Sequence, residues 1–131
     1  MSPEATIRRR IQWFDTDASS KEHNTVPLRL MEEAEAELLA DLGIVDEVYG
    51  FLPRVHVTMD YRAPLRFRDE VEVTLRVAEL GRTSITYTFE VRTEGRAAAD
   101  GRVVAAFIDE EGRPQPWPDG YRALLDPARA T

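Results

Sequence analysis

Cysteine is absent from these 131 residues, which excludes disulfides, thiol nucleophiles and thiolate metal sites and leaves the core to packing alone. Lysine is almost absent: of 17 basic side chains only Lys21 is a lysine, and the other 16 are arginines. Histidine occurs only as His23 and His56, too far apart for a usual ligand pair, so no metal is expected. Positive charge is in deficit as well. The 24 acidic residues leave a net charge of −7, which argues against a nucleic-acid partner, because phosphate neutralisation needs a concentrated basic face. No run approaches the roughly 20 apolar residues of a membrane span, and the opening Met1-Ser2-Pro3-Glu4 lacks the basic and apolar segments of a signal peptide. A cytoplasmic protein with no membrane contact is the expectation. The chain is long enough for one hydrophobic core and too short for two, so residues 1–131 read as a single domain.

What is present is ordered periodicity. Thr6 to Trp13 reads as a strand with Ile7, Ile11 and Trp13 on one face. The following FDTDASSKEHNT is rich in turn formers and has no period, which predicts a long ordered loop of the kind that often carries function. From Val26 to Leu42 the spacing turns helical, with Met31, Ala34, Leu38 and Leu42 in one stripe and Glu32, Glu33, Glu35, Glu37 and Asp41 on the remainder. Asn24 or Thr25 is placed to cap this helix, Pro27 fits its first turn, and Gly43 stops it.

Four further segments alternate as strands: Leu52 to Arg62, Glu70 to Val77, Ser84 to Arg92 and Ala97 to Asp109. In the first, Val55, Val57, Met59 and Tyr61 alternate with Arg54, His56, Thr58, Asp60 and Arg62, a face that reads as solvent or dimer surface. The core spans about residues 6–109. The tail, 110–131, carries three prolines around Trp117 and one helical turn near Tyr121 to Leu125. The order β-α-β-β-β-β with short turns predicts an α+β fold in which an antiparallel five-stranded sheet wraps one long helix. One helix covers only part of such a sheet, so a second copy is expected to protect the edges.

The loop places Asp15 and Asp17 two residues apart just ahead of the helix. A calcium loop of the EF-hand type would need glycine and an acid where Ser20 and Val26 stand. A phosphatase of the haloacid-dehalogenase type would need a later lysine, and Lys21 is the only one. Two readings stay open. Either the aspartates make Asx turns and satisfy loop amides, or one of them works on a carbonyl whose oxygen is polarised by the free N–H groups of the helix start.

The segments WFDTDASSKEHNTVPLRLMEEAEAELLADLGI and VTMDYRAPLRFRDEVEVTLRVAELGRTSITYTFEV together resemble the hot-dog-fold acyl-CoA thioesterases of the 4-hydroxybenzoyl-CoA thioesterase type. That family's pattern is D-x-D-x-x-G-[HI]-[VI]-x-[NY] after an apolar strand, then a helix with Glu-Glu-Ala and Leu-Gly-Ile near its ends, then Tyr-x-x-Pro followed by an acid that opens a strand. The resemblance covers roughly residues 7–109. It implies a hot-dog fold, a homodimer or dimer of dimers, and hydrolysis of an acyl-CoA thioester without metal or organic cofactor. Carried over, Asp17 matches the catalytic carboxylate, as nucleophile or general base, and the backbone amide of Asn24 falls where the thioester oxygen is met. Tyr61, Pro64 and Asp69 fall in the Tyr-x-x-Pro block, and Ser84 lies on the strand after it. His23 is a candidate substrate contact, and Arg62, Arg66, Arg68 and Arg82 are candidates for coenzyme A phosphates. Glu32 and Glu33 enter because another branch of the superfamily uses a helix carboxylate. Ser20-Lys21 stands where the pattern has Gly-His or Gly-Ile, which predicts a less tightly turned loop. The rival functions are a hot-dog protein that binds acyl-CoA or another apolar ligand without turnover, and a hydratase, for which no Asp-His pairing is visible.

Overall fold

A computed structural model describes residues 2–129. Five strands form one antiparallel sheet in the order β1-β3-β4-β5-β2: β1 (Glu4–Arg10), β2 (Arg54–Tyr61), β3 (Glu70–Leu80), β4 (Ser84–Thr93) and β5 (Arg96–Ala106). The long helix α1 (Val26–Asp41) packs on one face of the sheet, and a short helix α2 (Val45–Val48), for which the sequence raised no expectation, follows it. This is the hot-dog architecture, β-α-β-β-β-β, with the helix wrapped by the sheet.

The stripe Met31, Ala34 and Leu38 is buried as its spacing requires, joined by Leu30 and Leu39. It meets the inward set of the central strands: Val71, Val73, Leu75 and Val77 on β3, Ile85, Tyr87, Phe89 and Val91 on β4, and Val103 and Ala105 on β5. Each such aliphatic side chain removed from water contributes about 1.5–3 kcal/mol, which is why the period-2 and period-3.6 patterns decide the elements. Gly101 permits one close approach, because a Cβ there would stand 2.7 Å from the Phe89 ring and 2.5 Å from the Thr58 carbonyl oxygen. Gly43, at φ +78°, ends the helix.

Three expectations need correction. The first strand stops at Arg10, and Trp13–Asp15 forms a 3-10 turn that leaves Trp13 69% exposed. The cause is local: the Gln12 N–H donates to Asp15 Oδ2 at 2.7 Å, closing the turn before the strand can continue. Glu35, which the helical spacing sets apart from the apolar stripe, is fully buried. Its carboxylate accepts from Arg54 Nη1 at 3.0 Å and Nη2 at 2.5 Å. Arg54 can reach it because β2 bulges between Arg54 and His56, which turns Arg54 away from the His56 face and into the molecule. The hydroxyl of Tyr87 lies buried beside this pair, its pKa pushed far up by burial and by the Glu35 carboxylate.

The tail crosses the turn between β3 and β4. Trp117 stacks on Phe107 with ring centroids 4.2 Å apart, and its indole N–H donates to the Ser84 carbonyl at 2.9 Å. Helix α3 (Asp119–Leu125) then buries Leu125.

Candidate active site

The loop between β1 and α1 folds back on itself. Thr16 pairs with Glu22, and Lys21 with Arg66, as single antiparallel bridges. The Asp17 N–H donates to the Lys21 carbonyl at 3.0 Å, the His23 N–H to the Asp15 carbonyl at 2.7 Å, and the Glu22 N–H to the Leu65 carbonyl at 2.8 Å. The last bond ties the loop to the segment after β2. Between the loop and that segment lies a cleft of about 410 Å³ lined by Asp17, Ser19, Lys21, Glu22, Asn24, Tyr61, Arg62, Ala63 and Pro64.

The two aspartates have separated roles. Asp15 is only 3% exposed, and both its carboxylate oxygens are taken, Oδ2 by the Gln12 N–H and Oδ1 by Arg29 Nη2 at 2.8 Å. It pins the 3-10 turn to α1. Asp17 is exposed in the cleft. Its Oδ1 accepts the Ser19 hydroxyl at 2.5 Å and the Ser19 N–H at 2.8 Å, and these two bonds hold its pKa below the ordinary aspartate value. Its second oxygen has no protein partner among the described residues, so a residue that lines the cleft keeps one carboxylate oxygen free. The turn is as tight as a glycine would make it: Ser20 adopts φ +69°, and its N–H donates to the Asp17 carbonyl at 2.9 Å. The expected loosening does not occur, at a conformational cost of about 1 kcal/mol for a residue with a Cβ.

Neither Asn24 nor Thr25 caps α1 through its side chain. His23 does so instead, its Nδ1 accepting the Thr25 N–H at 3.2 Å and lying 2.8 Å from the Thr25 hydroxyl. This geometry makes Nδ1 an acceptor. The ring is thereby occupied with the helix start and does not line the cleft. Asn24 does line it, and its N–H donates to no protein acceptor among the described residues. The Tyr61 hydroxyl donates to the Asn24 carbonyl, locking the end of β2 to the start of α1. Arg62 sits at the cleft margin but is bound to Asp100 through Nε at 2.5 Å and Nη2 at 3.1 Å. That bond raises the arginine's pKa and lowers that of Asp100.

Arg82 and Ser84 are not brought to this cleft within one chain. Tyr61 faces Ala99, which pairs with Val91, whereas Ser84 pairs with Ala106. The separation is seven residues along β4, about 23 Å at strand rise. Arg66 and Asp69 close the turn behind Pro64, the Arg66 N–H donating to Asp69 Oδ2 at 2.9 Å. Arg68, at φ +77°, lies on a separate broad depression with Arg8, Arg9 and Arg10. Glu33 is paired with Arg9 and Arg29, and Glu32 lies 3.5 Å from Arg54. Neither glutamate lines the cleft. No group of three or more histidine, aspartate or glutamate residues is placed to hold a metal ion among the described residues, and no helix among them is long and apolar enough to cross a membrane.

The sequence reading missed Glu22. Glu22 lines the cleft, and its Oε2 is buried without a hydrogen-bond partner among the described residues. Burial, and then the charge of Asp15, push its pKa up to about 7. A signal was available, since the family pattern has an apolar [VI] at this position, which marks it as inward-facing.

The family model for the thioesterase superfamily matches residues 23–99. A 1,4-dihydroxy-2-naphthoyl-CoA hydrolase of Prochlorococcus marinus (strain MIT 9303) is 30% identical over 127 residues, covering 86% of this chain and 84% of that protein. Among solved structures, a thioesterase from Thermus thermophilus complexed with coenzyme A and Zn superposes with a TM-score of 0.81 at 30% identity, covering 94% of this chain and 95% of that one. A gentisyl-coenzyme A thioesterase superposes with a TM-score of 0.81 at 25% identity, over 92% and 98% of the two chains. The fold, the loop-and-helix cleft and these matches agree: this chain belongs to the thioesterase superfamily and is a hot-dog-fold thioester hydrolase.

Proposed function

We propose that the substrate is an acyl-CoA thioester and that Asp17 carries its hydrolysis, either attacking the carbonyl carbon or taking the proton of a water that does so. The observation that supports this most is the contrast between the two aspartates. Asp15 is buried with both oxygens engaged, while Asp17 lines the cleft, is held ionised by Ser19 and keeps one oxygen without a partner among the described residues. The Asn24 N–H, free at the start of α1, is the donor available to the carbonyl oxygen as negative charge develops there. The peptide that bears this N–H is held through its own carbonyl, that of His23, which accepts the Val26 N–H at 3.0 Å; Tyr61, by holding the Asn24 carbonyl, anchors the next peptide, and Pro64 forms the facing wall. Coenzyme A as the thiol is supported by relatives that act on CoA thioesters.

The working unit is a homodimer or a dimer of dimers. The edge strand β2 is unpaired on its outer side, and its Val55, Val57 and Tyr61 are 62%, 39% and 53% exposed. A second copy pairing there in antiparallel fashion removes the open edge. It also offers a route by which Arg82 and Ser84 reach a cleft, from the other chain. Arg62 can bind a coenzyme A phosphate by exchanging its bond to Asp100 for one to the phosphate.

The test is Asp17→Asn, which keeps the side chain's size and removes its charge. Free-thiol release from a panel of acyl-CoA thioesters is expected to fall at least about 10²-fold, with substrate binding retained. Wild-type turnover in this variant would remove Asp17 from the mechanism.

A further inference from the structure

We propose that Glu22 is a second catalytic carboxyl group of this cleft, donating a proton to the sulfur of the departing thiol. The inference rests on the reading of Asp17 above and assigns the other half of the proton traffic.

Three observations carry it. First, position: Glu22 and Asp17 line the same cleft, and the Glu22 backbone is fixed on both sides, by its bridge to Thr16 and by its N–H bond to the Leu65 carbonyl. Second, isolation: Oε2 is sealed from solvent with no hydrogen-bond partner, and no arginine, lysine or histidine forms an ion pair with Glu22 among the described residues. The groups that face it are Asp15 from the 3-10 turn and the Tyr61 hydroxyl from β2, while Lys21 and Arg62 lie around the same cleft. Arg29 of α1, the cation nearest in role, is committed to Asp15 and Glu33. No ion pair among the described residues offsets the burial of an anion at Glu22, and the neutral acid is retained close to neutral pH. Third, contrast: Asp17, in the same cleft, is pushed the opposite way by Ser19. Two carboxyl groups in one site whose environments drive them apart divide into a base and an acid.

The step balances. Water adds to the carbonyl carbon as its proton passes to Asp17. When the resulting tetrahedral species collapses, the carbon–sulfur bond breaks and its electron pair goes to sulfur, which takes the Glu22 proton and leaves as the thiol. Asp17 then loses its proton to solvent and Glu22 regains one, so the net change is one water added across the thioester bond.

Leaving-group dependence tests this directly. The same acyl group is offered as its coenzyme A thioester and as a nitrothiophenyl thioester, whose electron-poor thiolate departs without needing a proton. For Glu22→Gln, kcat/KM is expected to fall about 10²-fold on the coenzyme A thioester and less than about threefold on the nitrothiophenyl ester, and the alkaline limb expected of wild type near neutral pH is expected to be lost. Glu22→Val, which leaves no polar atom to bury, is expected to show the same contrast and guards against a folding defect peculiar to the amide. Equal losses on both esters, or no loss on either, overturn the proposal. Asp17→Asn measured alongside is expected to lose both activities. If it keeps them while the Glu22 contrast stands, the Asp17 assignment fails and that of Glu22 does not.

Discussion

Ser19 gives both its hydroxyl and its backbone N–H to one oxygen of Asp17, at 2.5 and 2.8 Å. The pair is enclosed in a four-residue turn, so the carboxylate is oriented and kept ionised by its own loop rather than by a distant cation. Removing the hydroxyl leaves the backbone bond and raises the Asp17 pKa toward its ordinary value. Because a depressed carboxylate is active above its pKa, the acid limb of the pH–rate profile is expected to move to higher pH in Ser19→Ala. Turnover on the alkaline side of that limb should stay within about threefold of wild type, since the reacting charge is unchanged there. An unmoved acid limb would mean that another group controls it.

Arg54 and Glu35 form the one ion pair, among the described residues, whose carboxylate is wholly buried. Burial by itself would lower the arginine's pKa, and the paired carboxylate more than offsets this. Truncating one partner strands the other. Arg54→Met is expected to lower the unfolding free energy by about 3–5 kcal/mol in urea titrations, and the double variant Glu35→Leu/Arg54→Met to recover most of that loss. A double variant as unstable as the single one would show that the pair contributes shape rather than charge compensation.

Val57 sits in β2 opposite Val103, with its far side open. A lysine there places a charge in the middle of the proposed edge-to-edge contact. Val57→Lys is expected to weaken self-association at least about tenfold, which is about 1.4 kcal/mol. Sedimentation at micromolar concentration reads the change, and activity should fall with the loss of dimer. A fully active monomer would refute the shared-site arrangement.

Hydrophobic period was enough to fix the elements that meet the core on one side. Val71, Val73, Leu75 and Val77 could only be a half-buried strand, and Met31, Ala34 and Leu38 only a helix stripe. The resemblance to the thioesterase family also marked Asp17, Asn24, Tyr61 and Pro64, which the fold gathers into one cleft. Periodicity fixes the elements, though not the site, because it reports which side of an element meets the core. Contacts between distant segments decided the rest. Glu35 reads as one more acid on a polar helix face, and only the β2 bulge that delivers Arg54 makes its burial possible. Ser20 holds a left-handed turn without being glycine because the bonds around Asp17 fix the loop. Glu22 looks like a solvated loop residue until its pairing with Thr16 and Leu65 turns it inward, where it forms no ion pair among the described residues. Charges are the residues whose role a sequence leaves undecided, because the free energy of a carboxylate is set by the dielectric and the donors around it. Those are supplied by residues dozens of positions away.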